Sequence, residues 1–302
     1  MTKFLVVITG PTGVGKTSVG IDVAKHFHSE IISCDSRQIY RELSIGTAVP
    51  EAEELKAIPH HFIHSHSIED NYNASRYETE ALALLEFLFQ KHDILLLVGG
   101  SMMYVDAVCK GIDIMPDADP EIRNDLKTRL ENEGLESLRR QLKNLDPDYY
   151  QTVDLKNPNR IIHALEITLQ TGKPYSSFRT NTNKKRPFSI IKIGLYRERE
   201  ELHQRINRRV DQMIANGLQE EAQKVYPIKE LNALNTVGYR ELFSFFDGDI
   251  SKEKAIELIK RNSRRYARKQ LTWFRRDEEM KWFGPNQNSE IIQYIENQIA
   301  QK

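Results

Sequence analysis

Residues 4–9 form an apolar, β-branched run that stops at Gly10, and Ile94-Leu-Leu-Leu-Val98 forms a second that stops at Gly99. Neither run alternates with polar residues. Each therefore reads as a strand buried on both faces, the pattern of a parallel sheet. After Lys16 the apolar residues Val19, Val23, Ala24 and Phe27 recur at helical spacing, so the chain opens strand, glycine loop, helix. Residues 30–34 read as a second short strand ending at Asp35. Residues 73–91 read as an amphipathic helix through Tyr77, Ala81, Leu84, Leu85 and Leu88, with Asn73 as its cap. Strands alternating with helices predict an α/β fold, a parallel sheet flanked by helices.

The texture changes at residues 115–120 (Met-Pro-Asp-Ala-Asp-Pro). From there to Arg186 the pattern is helical, with Pro147, Pro158 and Pro174 breaking it into short segments. Residues 181–187 read as an exposed, solvated return linker, and residues 188–195 as another strand. Residues 115–186 are thus expected to be a helical domain inserted into an α/β core made of 1–114 and 187–302. The rest of the core, to Lys302, reads as mostly helix.

Composition narrows the class. Lys plus Arg and Asp plus Glu are both 43, so the formal charge is zero and bulk attraction to nucleic acid is excluded, although a local basic patch is not. Hydrophobic content of 39% with 28% charged residues is that of an ordered globular chain. No run approaches the roughly 18 apolar residues of a membrane helix. The apolar start is too short for a signal-peptide core. Two cysteines, Cys34 and Cys109, cannot build a disulfide framework. They read as buried small hydrophobes, and a reduced, cytoplasmic setting is expected.

The chemistry starts at Gly10-Pro11-Thr12-Gly13-Val14-Gly15-Lys16-Thr17. This spacing, between strand and helix, is that of a phosphate-binding loop. Glycines let successive N–H groups turn inward on an anion, Lys16 adds a point charge, and Thr17 can ligate Mg²⁺. The loop indicates a phosphate-bearing ligand without saying that it is a nucleotide. The strand at 94–98 ends in Gly99-Gly100-Ser101 rather than in an acidic Mg²⁺ ligand, which argues against an ATPase motor or a switch GTPase. Asp35, after the second strand, is expected at the same carboxyl edge of the sheet. There it can bind a metal, accept a proton or cap a helix.

Several segments together resemble one family, the bacterial tRNA dimethylallyltransferases. They are the phosphate loop, Ser33-Cys-Asp-Ser-Arg-Gln-Ile-Tyr40, Ile45-Gly-Thr-Ala48, Pro59-His-His61, Val98-Gly-Gly-Ser-Met-Met-Tyr104, Asn157-Pro-Asn-Arg160, Val237-Gly-Tyr-Arg240 and Arg268-Lys-Gln-Leu-Thr-Trp-Phe-Arg275. The resemblance implies transfer of a dimethylallyl group from dimethylallyl diphosphate to N6 of the adenosine just 3′ of the anticodon, in tRNAs reading codons that begin with U. It implies that the phosphate loop holds the prenyl diphosphate with Mg²⁺. Asp35 would be the general base, Ser101 would lie near the bridging oxygen, and Arg240 would meet the departing diphosphate. It implies tRNA contacts at Asp35, Ser36, Arg37, Gln38, Ser101, Arg123, Asn159, Arg160, Ile161, Ile162 and His163, and at Arg268, Lys269, Gln270, Thr272, Trp273 and Arg275. A monomer binding the anticodon stem-loop, with no membrane, would suffice. Two departures stand out. Ser101 replaces the family's common Thr and keeps the hydroxyl, whereas Val49 replaces a common Lys and removes a charge.

Between 260 and 276 lie Lys260, Arg261, Arg264, Arg265, Arg268, Lys269, Arg275 and Arg276 with no acidic residue. Helical geometry places 261, 264, 265, 268, 272 and 275 on one side, a stripe suited to an RNA backbone. Trp273 and Phe274 read as core. His60, His61, His64 and His66 lack the carboxylates or cysteines that would complete a zinc site. Lys184-Lys185-Arg186 reads as solvated linker, and Asp117 and Asp119 as turn and cap residues. Three other readings compete: a small-molecule kinase with the same loop, a prenyltransferase acting on free adenine nucleotides, and an RNA-binding module that only senses phosphate. The large helical insertion and the basic stripe favour RNA.

Overall fold

A computed structural model describes residues 2–113, 115–116, 119–180 and 183–302. The expected turn at Asp117 and the first residues of the return linker lie outside this set. The strands are β1 (Phe4–Thr9), β2 (Ile31–Ser33), β3 (His60–His61), β4 (Ile94–Gly99), β5 (Ser189–Leu195) and β6 (Lys281–Phe283). They form one sheet in the order β3-β2-β4-β1-β5-β6, with every pairing parallel. β4 therefore sits beside β1 in register Phe4↔Ile94 to Thr9↔Gly99. The glycine turns that end both strands emerge side by side.

Alternate residues of each central strand point to opposite, equally covered faces. Leu5 and Val7 of β1 and Leu95 and Leu97 of β4 join one core, while Phe4, Val6, Ile8, Leu96 and Val98 join the other. This explains the unbroken apolar runs. Helices α1 (Lys16–His26), α2 (Ala52–Ala57), α3 (Ala74–Leu88) and α4 (Met102–Cys109) belong to the first part of the chain. Asn73 caps α3 as expected, its side chain accepting from the Ser75 and Arg76 N–H groups.

The chain divides into two compact units, Met1–Cys109 with Lys185–Lys302, and Lys110–Lys184. The second unit is helical: α5 (Pro120–Glu133), α6 (Leu135–Leu145), α7 (Pro147–Thr152) and α8 (Pro158–Thr171). Each of the prolines Pro120, Pro147 and Pro158 opens a helix, where its missing N–H costs nothing. Asp119 caps α5 by accepting from Glu121 N–H. The unit has its own core of Leu126, Leu138, Leu142, Ile161, Ala164 and Leu165. After β5 the first unit continues through α9 (Arg199–Ala215), α10 (Leu218–Val225), α11 (Tyr239–Phe246), α12 (Lys252–Phe274) and α13 (Asn288–Ala300).

One expectation needs correction. Lys184-Lys185-Arg186 is not simply solvated linker. The Arg186 side chain is only 7% exposed, pairs with Glu78 at 2.8 Å and donates to the Val108 and Ala107 carbonyls at the end of α4. A guanidinium can close a helix C-terminus that way, which charge counting does not reveal. The end of the chain is mostly helix, as expected, with β6 added as an edge strand. Of the histidines, only His60 and His61 are in a strand, and each of the four has its own bond. His60 bonds Ile58 O, His61 bonds Glu30 at 2.6 Å, His64 bonds Ser44, and His66 bonds Ser65 and lies 3.3 Å from Glu80.

Candidate active site

Parallel strands place the loops after β1, β2, β4 and β5 at one edge. Gly10 turns with φ +148°, and a Cβ there would meet Leu195 O at 2.6 Å. Only glycine lets the end of β5 come this close. Gly13 and Gly15 also have positive φ (79° and 115°). The outer carbonyls of the loop are held by arginines: Arg197 donates to Val14 O at 2.8 Å and Arg205 to Gly13 O at 2.9 Å. Of the loop N–H groups, Thr12 and Val14 are bonded within the protein, and the others remain for an anion. The Lys16 ammonium folds onto Gly10 O (3.1 Å) and Pro11 O (3.0 Å). Desolvation pulls its pKa down to about 8, the nearby Arg209 charge adds to that, and Asp35 opposes it.

Asp35 follows β2. Its Oδ1 accepts from Arg37 N–H (2.9 Å) and Gln38 N–H (3.3 Å), an Asx turn that fixes the carboxylate at the sheet edge. Ser101 follows β4 and is 7% exposed. Its N–H donates to Cys34 O, its Oγ accepts from Ser36 N–H at 2.8 Å, and its hydroxyl donates to Ser36 Oγ at 3.0 Å. Tyr266 lines the same space as Ser101, and burial pushes its pKa up to about 12. Carboxylate and hydroxyl are therefore locked to each other through consecutive backbone groups.

These groups line a cavity of about 610 Å³. It brings together Thr12, Asp35, Ser36, Arg37, Ser101, Arg240, Arg268 and Lys269. An adjoining cavity of about 890 Å³ shares Thr12 and Asp35 and is lined by Gly13, Gly15, Lys16, Thr17, Gln38 and Gln270. Apolar side chains, Ile206, Val210, Met213, Leu218, Val237 and Ile259, make up much of the remaining wall of the first. One cavity system thus offers an anion cradle, a carboxylate, a hydroxyl, cations and a greasy wall. Such a set suits displacement of a phosphate-bearing leaving group by a neutral nucleophile.

Other expected residues lie elsewhere or are otherwise engaged. Arg37 donates to Asn232 O and Ala233 O, and Gln38 to Thr47 O and Ala48 O. Trp273 donates to Asp106 at 2.9 Å and packs against the core. Thr272 and Arg275 are exposed, as are Arg261, Arg265, Arg268 and Lys269, while Arg264 leaves the stripe to bond Asn207. In the second unit Asn159 and Arg160 are exposed, and the side chains of Ile161 and Ile162 are core. Arg123 and His163 both donate to the buried Glu166, Arg123 through two bonds of 2.7 Å and His163 at 2.6 Å.

Sequence reasoning missed Arg209. It lines both cavities. Burial lowers its pKa, and the Asp35 charge opposes that. A signal existed: Arg205 and Arg209 are four apart on the helix that follows β5, the strand paired with β1. Among the described residues, no group of three or more His, Cys, Asp or Glu side chains could hold a metal ion. No helix among them is long and apolar enough to cross a membrane.

The family model for IPP transferase matches residues 38–277. The tRNA dimethylallyltransferase 1 of Bacteroides fragilis is 57% identical over 98% of this chain and 99% of its own. The chain belongs to the tRNA dimethylallyltransferase family. That of Christiangramia forsetii is 53% identical over 99% of both chains. The fold agrees with the family's. A tRNA isopentenylpyrophosphate transferase from Bacillus halodurans matches at TM-score 0.74 and 35% identity, covering 100% of this chain and 98% of that one. A eukaryotic dimethylallyltransferase acting on tRNA matches at TM-score 0.74 and 28% identity over 90% of this chain and 70% of that one. As a member of this family the chain is a transferase, and the kinase reading is not favoured.

Proposed function

We propose that the protein transfers the dimethylallyl group of dimethylallyl diphosphate to N6 of a tRNA adenosine, the one just 3′ of the anticodon. The observation that carries this is the placing of Asp35, Ser101 and the phosphate loop around two adjoining cavities that share Thr12 and Asp35, with cations of α12 beside them. In the reaction N6 attacks the allylic carbon, the carbon–oxygen bond to the diphosphate breaks, and an N6 proton passes to Asp35. The adenine amine is a weak nucleophile because its lone pair is delocalised. A carboxylate fixed in hydrogen-bond reach removes the proton as the new bond forms.

Diphosphate leaves with growing negative charge. Lys16, Arg209, Arg240 and the loop N–H groups are placed to stabilise it. Thr17 and the diphosphate oxygens would hold Mg²⁺, an arrangement that suits an ion binding mostly substrate phosphate and water. When bound, Mg²⁺ offsets charge on the leaving group. Ser101 aligns the bridging oxygen, and its short bonds to Ser36 keep it on the same backbone turn as Asp35. The target base leaves its stack to enter the cavity. The exposed cations of α12 and the unit Lys110–Lys184 hold the anticodon stem-loop. A monomer in the cytoplasm suffices for all of this.

The test is label transfer from dimethylallyl diphosphate with Mg²⁺, offering unmodified tRNA, AMP or ATP as acceptor. Label in tRNA alone is expected. Label in AMP would instead make this a nucleotide prenyltransferase.

A further inference from the structure

Gln270 is 2% exposed, although it sits in the basic stretch of α12 between Lys269 and Leu271. Its Oε1 accepts from Thr12 N–H at 2.8 Å, and its Nε2 donates to Gly100 O at 2.8 Å. One side-chain amide therefore spans the phosphate loop and the turn that carries Ser101. The fit is close: a Cβ on Gly100 would lie 2.5 Å from Gln270 Nε2 and 3.3 Å from Lys16 Nζ. Tyr266, one helical turn earlier, lines the cavity together with Ser101. Arg265, Arg268 and Lys269, on the exposed side of this stretch, line the cavity.

We infer that Gln270 is a positioning residue for the prenyl diphosphate site, setting the phosphate loop against the Ser101 turn, and not a tRNA contact. Three points support this. Both polar ends of the amide are engaged within the protein and the side chain is 2% exposed, so it offers RNA little surface. Both partners are main-chain groups, so the amide fixes backbone rather than another mobile side chain. The two backbones it joins carry Lys16 and Ser101, groups that must stay in register as the leaving diphosphate gains charge. This rests on the prenyl-transfer reading above.

The experiment compares Gln270→Met and Gln270→Glu with the wild type. Methionine keeps the volume and removes both hydrogen bonds. Glutamate keeps an acceptor for Thr12 but sets a carboxylate against Gly100 O and beside Lys16. KM for dimethylallyl diphosphate should rise about tenfold or more in Gln270→Met, and further in Gln270→Glu. The Kd for tRNA, measured separately, should stay within about twofold. A weaker tRNA Kd with unchanged KM for the diphosphate would make Gln270 an RNA contact and overturn the inference, as would two unchanged parameters. If neither variant folds, amide exchange in the wild type decides. The Thr12 N–H should be protected in the empty enzyme and unchanged by dimethylallyl diphosphate; protection that appears only with ligand would overturn the inference. A wild type that transfers no prenyl group would overturn the reading of the site, whereas a transferring wild type matched by both variants would overturn only the role of Gln270.

Discussion

Raising the pH through about 8 should weaken the grip of the empty site on dimethylallyl diphosphate, because Lys16 loses its proton there. Burial is the main cause of its low pKa, and Arg209 adds to it. A bound diphosphate pairs with the ammonium and keeps it protonated through this range. Affinity then falls as the neutral fraction of Lys16 grows. From a pKa of about 8, the loss is about twofold at pH 8 and about tenfold at pH 9. Cys34 and Tyr266 stay outside this window: burial pushes the Cys34 thiol up, and Tyr266 stands at about 12. The donor has already lost its phosphate protons in this range. The assay is calorimetric titration of dimethylallyl diphosphate between about pH 7 and pH 9, in buffers of different ionisation enthalpy, so that proton uptake is read directly. Lys16→Arg stays charged and should give weaker but pH-independent binding. A flat wild-type profile, or an equal fall in Lys16→Arg, would refute the reasoning.

Three further outcomes are expected. Arg209→Gln should lower affinity for dimethylallyl diphosphate about tenfold and move the inflection above pH 8, since it removes a charge that depresses Lys16; the same titration checks both. Arg268→Ala should weaken tRNA binding and lower the slope of log K against log salt by about one, leaving the KM for the diphosphate unchanged. Glu166→Gln should lower stability by about 2 kcal/mol, read from the urea midpoint. That is less than a fully buried pair would cost, because the Arg123 side chain is 45% exposed while Glu166 is wholly buried.

The phosphate loop, Asp35 and the Gly-Gly-Ser turn were legible because each ends an apolar strand, and a parallel sheet sends such ends to one edge. β3 and β6, of two and three residues, were not, because nothing so short shows periodicity. Arg186 looked like one of three linker cations until its contacts put it at the end of α4. Arg209 and Gln270 were hidden for another reason. An arginine among arginines and a glutamine among cations read as surface, and only the packing of α9 and α12 over the β1 and β4 loops turns them inward. Glu166 was invisible as the shared partner of Arg123 and His163, since three and forty-three residues separate it from them along the chain.

The measurement that bears most directly on the central claim is nucleoside analysis of unmodified tRNA after incubation with dimethylallyl diphosphate and Mg²⁺, using the wild type and Asp35→Asn. The account predicts N6-dimethylallyladenosine with the wild type. With Asp35→Asn it predicts almost none, at unchanged tRNA affinity. Full modification by Asp35→Asn would contradict the role of the carboxylate, and no prenylated adenosine with the wild type would contradict the account as a whole.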